Sequence, residues 1–192
     1  KDDTQKAAVK AKLNLTKEFI LFAGSIEPRK NLATLIKAYN LLPSDLQAKF
    51  DLVIVGAKGW ENSQIHELIN QNKNIKFAGF VTDEELAALY SSASVFVYPS
   101  VYEGFGIPPL EAMACGCAVA LSDIEVFREI YGEDAVYFDP LSEADLKEKL
   151  EILLTDDKMR EDFVRLGLCR CKDFSWAKSA KAHNELFSKL LS

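Results

Sequence analysis

The sequence predicts an α/β fold: a doubly wound, mostly parallel, Rossmann-like sheet with helices on both faces. Three observations carry this. Short apolar runs alternate with amphipathic segments along the chain, the pattern of strand–helix units stacked into a parallel sheet. The runs are four or five residues long, which suits buried strands rather than helices. Glycine-rich loops follow several of them, at the carboxyl edge where such sheets bind ligands.

Taken in order, strands are predicted over 19–23, 52–55, 75–78, 95–98, 118–121 and 135–138. Helical patterns separate them, over 31–42, 63–70, 82–91, 109–114 and 124–130. Thr82-Asp83-Glu84-Glu85 reads as a capping box opening the third of these. Ser142 can cap a helix running to about residue 155, and two more helices follow over 157–171 and 175–191. No internal repeat or low-complexity linker interrupts the pattern.

A chain of 192 residues, 48% apolar, is enough for one domain with a sizeable core. The net charge of −6 argues against a general nucleic-acid binder, which needs a basic face. No apolar run approaches the ~18 residues of a transmembrane helix, and no signal sequence opens the chain. It begins at Lys1, so it is expected to be a piece of a longer polypeptide.

The most informative stretch is Glu103-Gly104-Phe105-Gly106-Ile107-Pro108-Pro109-Leu110-Glu111. Two carboxylates bracket a glycine loop between a predicted strand and a predicted helix. Gly104 and Gly106 allow unusual φ and leave room for a ligand. Two prolines suit the helix entry. Free N–H groups at Phe105, Gly106 and Ile107 would meet an anion at the positive end of the helix dipole. Glu111, placed in the first turn, has a dipole-capping alternative. Glu103, in the loop, has none. Carboxylates flanking an anion site suit the hydroxyls of a sugar and a ribose.

A second stretch, Gly24-Ser25-Ile26-Glu27-Pro28-Arg29-Lys30-Asn31, follows the first strand. It puts Arg29 and Lys30 beside a helix start, where cations oppose the dipole. An anion is the obvious partner, and a solvated charged loop the alternative. On this reading, removing Lys30 should leave stability within ~0.5 kcal/mol or raise it. Gly56-Ala57-Lys58-Gly59-Trp60 and Gly79-Phe80-Val81 also follow strands. Gly56 could line the same cleft, and Lys58 reads as solvated. Phe80 reads equally as a core or rim aromatic and as a stacking residue.

The two C-x-C pairs, Cys115/Cys117 and Cys169/Cys171, do not match zinc-ligand spacing and read as free thiols, the first pair buried. His66 and His183 have no metal or triad context. No Asp-x-Asp motif holds a metal against a diphosphate, so no metal site and no metal cofactor is expected.

Glu-x7-Glu, embedded as YEGFGIPPLEAMACGC, resembles the signature of retaining glycosyltransferases of family 4, which have the two-domain GT-B architecture. FAGSIEPRKNL, LVIVGAKGW, IKFAGFVTDEELAALYSSASVFVYPS and AVYFDP extend the resemblance over nearly the whole chain. What matches is the C-terminal, donor-binding half. The resemblance implies that residues 1–192 form one nucleotide-sugar-binding domain. The acceptor-binding N-terminal domain lies outside the chain, which alone should be inactive. Lys30, with Arg29, would contact the donor diphosphate, Glu103 the donor sugar and Glu111 the ribose. Gly24, Ser25 and Gly56 would line the donor cleft, and Phe80 and Val81 would border the base. Gly24-Ser25 departs from the commoner Gly-Arg and is similar to bacterial polysaccharide mannosyltransferases. That favours GDP-mannose as donor, with a saccharide or lipid-linked acceptor reached through the absent domain. A cytoplasmic location is implied, or one peripheral to the inner face of the membrane. A non-catalytic nucleotide- or partner-binding module and a two-carboxylate glycoside hydrolase are the alternatives.

Overall fold

The computed structural model describes residues 3–57 and 63–191. Six strands form one sheet: β1 (Glu18–Ala23), β2 (Phe50–Val55), β3 (Ile75–Gly79), β4 (Val95–Tyr98), β5 (Val119–Ser122) and β6 (Val136–Phe138). Their spatial order is β3-β2-β1-β4-β5-β6, and every neighbouring pair is parallel. The chain runs outward from β1 to β3, then returns to the other side of β1 with β4. That reversal leaves a crevice between the loops after β1 and β4, the position at which open parallel sheets bind ligands.

Two-residue periodicity divides the strand side chains between two cores. Ile20 and Phe22 of β1 face one layer. Phe19, Leu21 and Ala23 face the other. The first layer is covered by α2 (Leu32–Asn40), α3 (Ser44–Lys49), α4 (Ser63–Gln71) and α8 (Glu143–Thr155). The second is covered by α1 (Asp3–Lys12), α5 (Asp83–Tyr90), α6 (Ile107–Ala114) and α7 (Glu125–Tyr131). Burial on both faces is why the strands are continuously apolar rather than alternating. Beyond these layers, α9 (Asp157–Arg170) brings Gly167 against Met113 of α6, where an added Cβ would come within 2.8 Å of Met113 Cγ. The last helix, α10 (Trp176–Leu190), buries none of its residues.

All six predicted strands form: β4 has the predicted ends, and no other end is displaced by more than two residues. The capping box is present: Glu85 N–H donates to Thr82 Oγ1 at 3.3 Å, and Thr82 N–H donates to Glu85 Oε2 at 3.1 Å. Asp145 N–H likewise donates to Ser142 Oγ at 3.1 Å. Two helices carried no sequence signal. α1 buries only Val9 and is tied to α5 by Lys12–Glu85 at 2.6 Å. α3 is six residues long and buries only Leu46. Helices with one buried residue have no apolar stripe to detect. No described helix is long and apolar enough to cross a membrane.

The carboxyl ends of the central strands are in close backbone contact. Gly24 N–H donates to Val55 O and Gly56 N–H to Gly79 O, both at 2.9 Å. A Cβ on Gly56 would lie 1.9 Å from the Gly24 carbonyl oxygen, at a φ of +154°. Gly56 is therefore glycine because two backbones meet there, a packing reason that holds whether or not it also lines the cleft. Neither backbone can move without breaking strand pairing. Gly56→Ala is expected to cost at least ~2 kcal/mol in urea unfolding. An unchanged midpoint would show that this crossing is not a constraint.

Candidate functional site

The site forms where the loop after β1 meets the loop after β4. A hydrogen bond from Val101 N–H to Arg29 O, at 2.9 Å, stitches the two loops together. Residues Pro28–Lys30 form a single 3₁₀ turn, and Asn31 turns the chain into α2 at a φ of +53°. The turn presents the side chains of Arg29 and Lys30 to the crevice.

The anion that meets them is Glu103. Lys30 Nζ donates to Glu103 Oε1 at 2.5 Å, and Arg29 Nη1 donates to Glu103 Oε2 at 3.0 Å. The Lys30 and Glu103 side chains are only 8% and 9% exposed, against 43% for Arg29. Lys30 Nζ also donates to Tyr98 Oη at 2.5 Å and lies 4.7 Å from the centre of that ring. Arg29 Nε donates to Glu27 Oε2 at 2.9 Å, and Ser25 Oγ donates to Glu27 Oε1 at 2.5 Å. Two cations and two carboxylates thus balance across the crevice. Glu103, which the sequence left without a structural role, has one in this ion pair.

Burial pushes the Glu103 carboxyl up in pKa. The Lys30 hydrogen bond, with the Lys30 and Arg29 charges, outweighs this and holds it below its ordinary 4.5. The buried Ser100 hydroxyl helps lower it without forming a well-shaped hydrogen bond of its own. Burial pushes the Tyr98 phenol upward, and the adjacent Glu103 charge adds to that. Tyr98 therefore stays a neutral hydroxyl. For Arg29 burial works against the charge, but Glu103 and Glu27 more than compensate.

The glycine loop follows. Gly106 has φ +92° and caps α6. A Cβ there would lie 2.8 Å from the Phe127 ring, and Tyr131 Oη donates to its carbonyl. Gly104 meets nothing within 4 Å, so packing does not require its missing side chain and the space is open to a ligand. The helix begins at Ile107, two residues before the sequence placed it. Pro108 and Pro109 therefore sit inside the first turn, where they have no N–H to offer, leaving the N–H groups of Phe105–Ile107 as the donors. Glu111 moves into the second turn, which weakens its dipole-capping alternative. It is exposed, and Tyr90 Oη donates to its Oε2 at a long 3.4 Å.

The remaining candidates divide. Phe80 is 83% exposed just past β3, a rim aromatic rather than a core one. The Val81 side chain is buried in the second core, which leaves only its backbone for a ligand. Gly24 has only ordinary contacts around a notional Cβ. Ser25 has its hydroxyl engaged by Glu27. Lys58, Gly59 and Trp60 lie outside the described residues. Phe105 and Ile107 line a cleft of about 740 Å³ with Glu111, Phe174 and Trp176, and Phe105 packs edge-on against Phe174 at 5.8 Å. Cys115 is only half-buried, because it lies at the exposed end of α6. Sequence reasoning passed over Tyr98, Ser100 and Glu27. Tyr98 was hidden as one more apolar strand residue. An acid two positions before Arg29 was a visible signal for Glu27.

The family description "Glycosyl transferases group 1" matches residues 3–167. The chain belongs to this family. It is 38% identical over 191 residues to the serotype-specific mannosyltransferase WbdA of Escherichia coli, covering 96% of the chain and 23% of WbdA. It is 38% identical over 161 residues to the Escherichia coli O-antigen chain mannosyltransferase B, covering 82% and 42%. The chain thus spans less than half the length of these relatives. Among solved structures it resembles sucrose-phosphate synthase from Thermosynechococcus elongatus at 27% identity and a TM-score of 0.83, covering 96% of the chain and 49% of the synthase. The glycosyltransferase WaaG matches in fold, with a TM-score of 0.77, covering 90% of the chain and 48% of WaaG. These are GT-B glycosyltransferases, as the sequence motifs implied.

Two outcomes follow from the ion pair. Lys30→Ala should lower stability by about 2–3 kcal/mol, because Glu103 stays buried with only Arg29 to compensate it. This reverses the expectation from sequence, which treated Lys30 as an unpaired helix-start cation. A folded variant of wild-type stability in urea would show the pair to be loose. The depressed Glu103 pKa makes its contribution complete above 4.5 and lost as pH falls through the lower folded value. Wild-type stability should drop below that pH, and Glu103→Gln should flatten the decline in acid titrations followed by fluorescence.

Proposed function

We propose that this chain is the donor-binding domain of a retaining glycosyltransferase of family 4 type. Its parent would transfer a hexose, mannose favoured, from a nucleoside diphosphate sugar to a saccharide or lipid-linked acceptor. The observation that carries the reading is the meeting of Arg29, Lys30 and the open glycine loop at the sheet's reversal point. That crevice offers two cations, backbone N–H groups at a helix start and carboxylates for hydroxyls. A diphosphate flanked by two sugars needs those groups. The mannosyltransferase names of its relatives support the sugar. GDP-mannose is the donor this reading favours.

In the departing nucleoside diphosphate, charge builds on the β-phosphate. Lys30, Arg29 and the N–H groups of Phe105–Ile107 would meet that charge, so that the cations do the work a divalent metal does in other transferases. Glu103 lies between both cations before the donor arrives, so it is placed to hold a donor-sugar hydroxyl beside the phosphates. Glu111, exposed and weakly partnered, is free to receive the ribose. The acceptor site would lie on a further domain of the parent, so this chain should bind donor without efficient turnover. In a two-carboxylate hydrolase the general acid has a raised pKa, a role that Glu103, held low by Lys30 and Arg29, does not fit.

Calorimetry with GDP, UDP and ADP tests the reading, with and without EDTA. A dissociation constant on the order of 0.1–1 mM is expected for the preferred base, unchanged by EDTA. No binding of any of the three at millimolar levels, or its loss in EDTA, sinks the proposal. The two glutamates should separate. Glu103→Gln should spare or tighten diphosphate binding, because it frees both cations, and should cut transfer in the parent enzyme. Glu111→Gln should weaken nucleotide binding by ~1–3 kcal/mol. Equal effects on nucleotide affinity would show that the sugar and ribose roles are not divided this way.

A further inference from the structure

The Glu27 carboxylate hydrogen-bonds neither to the glycine loop nor to the Lys30 side chain, yet both its oxygens are engaged. Oε1 accepts from the Ser25 hydroxyl at 2.5 Å, and Oε2 accepts from Arg29 Nε at 2.9 Å. Glu27 occupies the cap position of the 3₁₀ turn, but its side chain makes no capping hydrogen bond. Here the turn is closed instead by backbone bonds, Glu27 N–H to Ser25 O at 3.0 Å and Lys30 N–H to Glu27 O at 2.9 Å. The carboxylate is left to Arg29.

Arg29 is consequently gripped from two sides. Its Nε is held by Glu27 and its Nη1 by Glu103, at 2.9 and 3.0 Å. A guanidinium is planar and rigid, so bonds at two of its nitrogens to two different carboxylates fix the plane. Nη2 makes no side-chain hydrogen bond among the described residues. At 43% exposure an unrestrained arginine would sample many rotamers. The Ser25–Glu27 pair removes that freedom before any ligand arrives.

We propose that Ser25 and Glu27 form a positioning relay that pre-orients the Arg29 guanidinium for a diphosphate. This rests on the reading of the crevice as a diphosphate site. It assigns Ser25 a role through Glu27 rather than at the ligand. The competing account makes Glu27 a plain counter-charge. The two accounts differ in sign. A counter-charge opposes an incoming anion, so removing it tightens binding. Removing a positioning residue weakens binding even though the site becomes one unit more positive.

The test is calorimetric titration with inorganic pyrophosphate, GDP, UDP and ADP. The proteins are the wild-type chain, Glu27→Ala, Ser25→Ala, the double variant, and Glu27→Ala in an Arg29→Ala background. Glu27→Ala should weaken binding by about five- to tenfold and Ser25→Ala by about two- to threefold. The double variant should be no weaker than Glu27→Ala, and without Arg29 the Glu27 change should have no further effect. Equal or tighter binding by Glu27→Ala, additive losses, or an undiminished loss without Arg29 overturns the relay while leaving the diphosphate site standing. A wild-type chain that binds none of the four ligands overturns both. Should the alanine variant fail to fold, Glu27→Gln decides by the same sign, since it keeps the size and one acceptor oxygen but loses the charge.

Discussion

The ion pair between Glu103 and the two cations of the first loop is the interaction on which the candidate site depends. It joins segments 73 residues apart in sequence, the turn after β1 and the loop after β4. Both partners are nearly buried, so each is tolerable only because the other is present. The pair therefore orders both loops at once. It holds the 3₁₀ turn against β4 through Lys30 and Tyr98, and it pulls the start of the glycine loop over the sheet edge. The backbone bond from Val101 to Arg29 reinforces the same junction.

This constraint also sets the electrostatics. The crevice is not an open basic patch. Its two cations are matched by Glu27 and Glu103, and the chain as a whole carries a net charge of −6. On the proposed reading, an incoming diphosphate would share or take over bonds that Glu103 already makes. Such an anion would have to match the fixed donors of Arg29 and Lys30 to replace the bonds they make to Glu103.

The surrounding packing itself accounts for two of the glycines near the candidate site. Gly56 is forced by the crossing of two strand ends, and Gly106 by the Phe127 ring and by its left-handed capping conformation. Gly104, by contrast, meets nothing within 4 Å of a notional Cβ. A glycine-rich loop thus mixes two causes that sequence does not separate. The apolar cleft between α6 and the last helix is a further consequence. It is lined by Phe105 of the glycine loop and Ile107 of α6, with Phe174 and Trp176 opposite.

The layered architecture was decided by the sequence itself. Buried parallel strands must be short apolar runs, and covering helices must alternate with them, so composition along the chain carries the fold directly. The placement of Lys30, Arg29, Glu103 and Glu111 near a sheet edge was legible for the same reason, since loops after parallel strands share one edge. What each charge does there was not. Lys30 looked like an unpaired cation until the return of β4 beside β1 brought Glu103 to it. Val81 carried no sign that its side chain enters the second core and leaves only its backbone at the cleft. Glu27 and Tyr98 looked like a loop acid and a strand aromatic until both were seen to hold the cations. Pairing across 70 residues depends on strand order and on the angle at which each loop leaves its strand. Those are settled by the packing of the whole sheet, to which no local stretch of sequence has access.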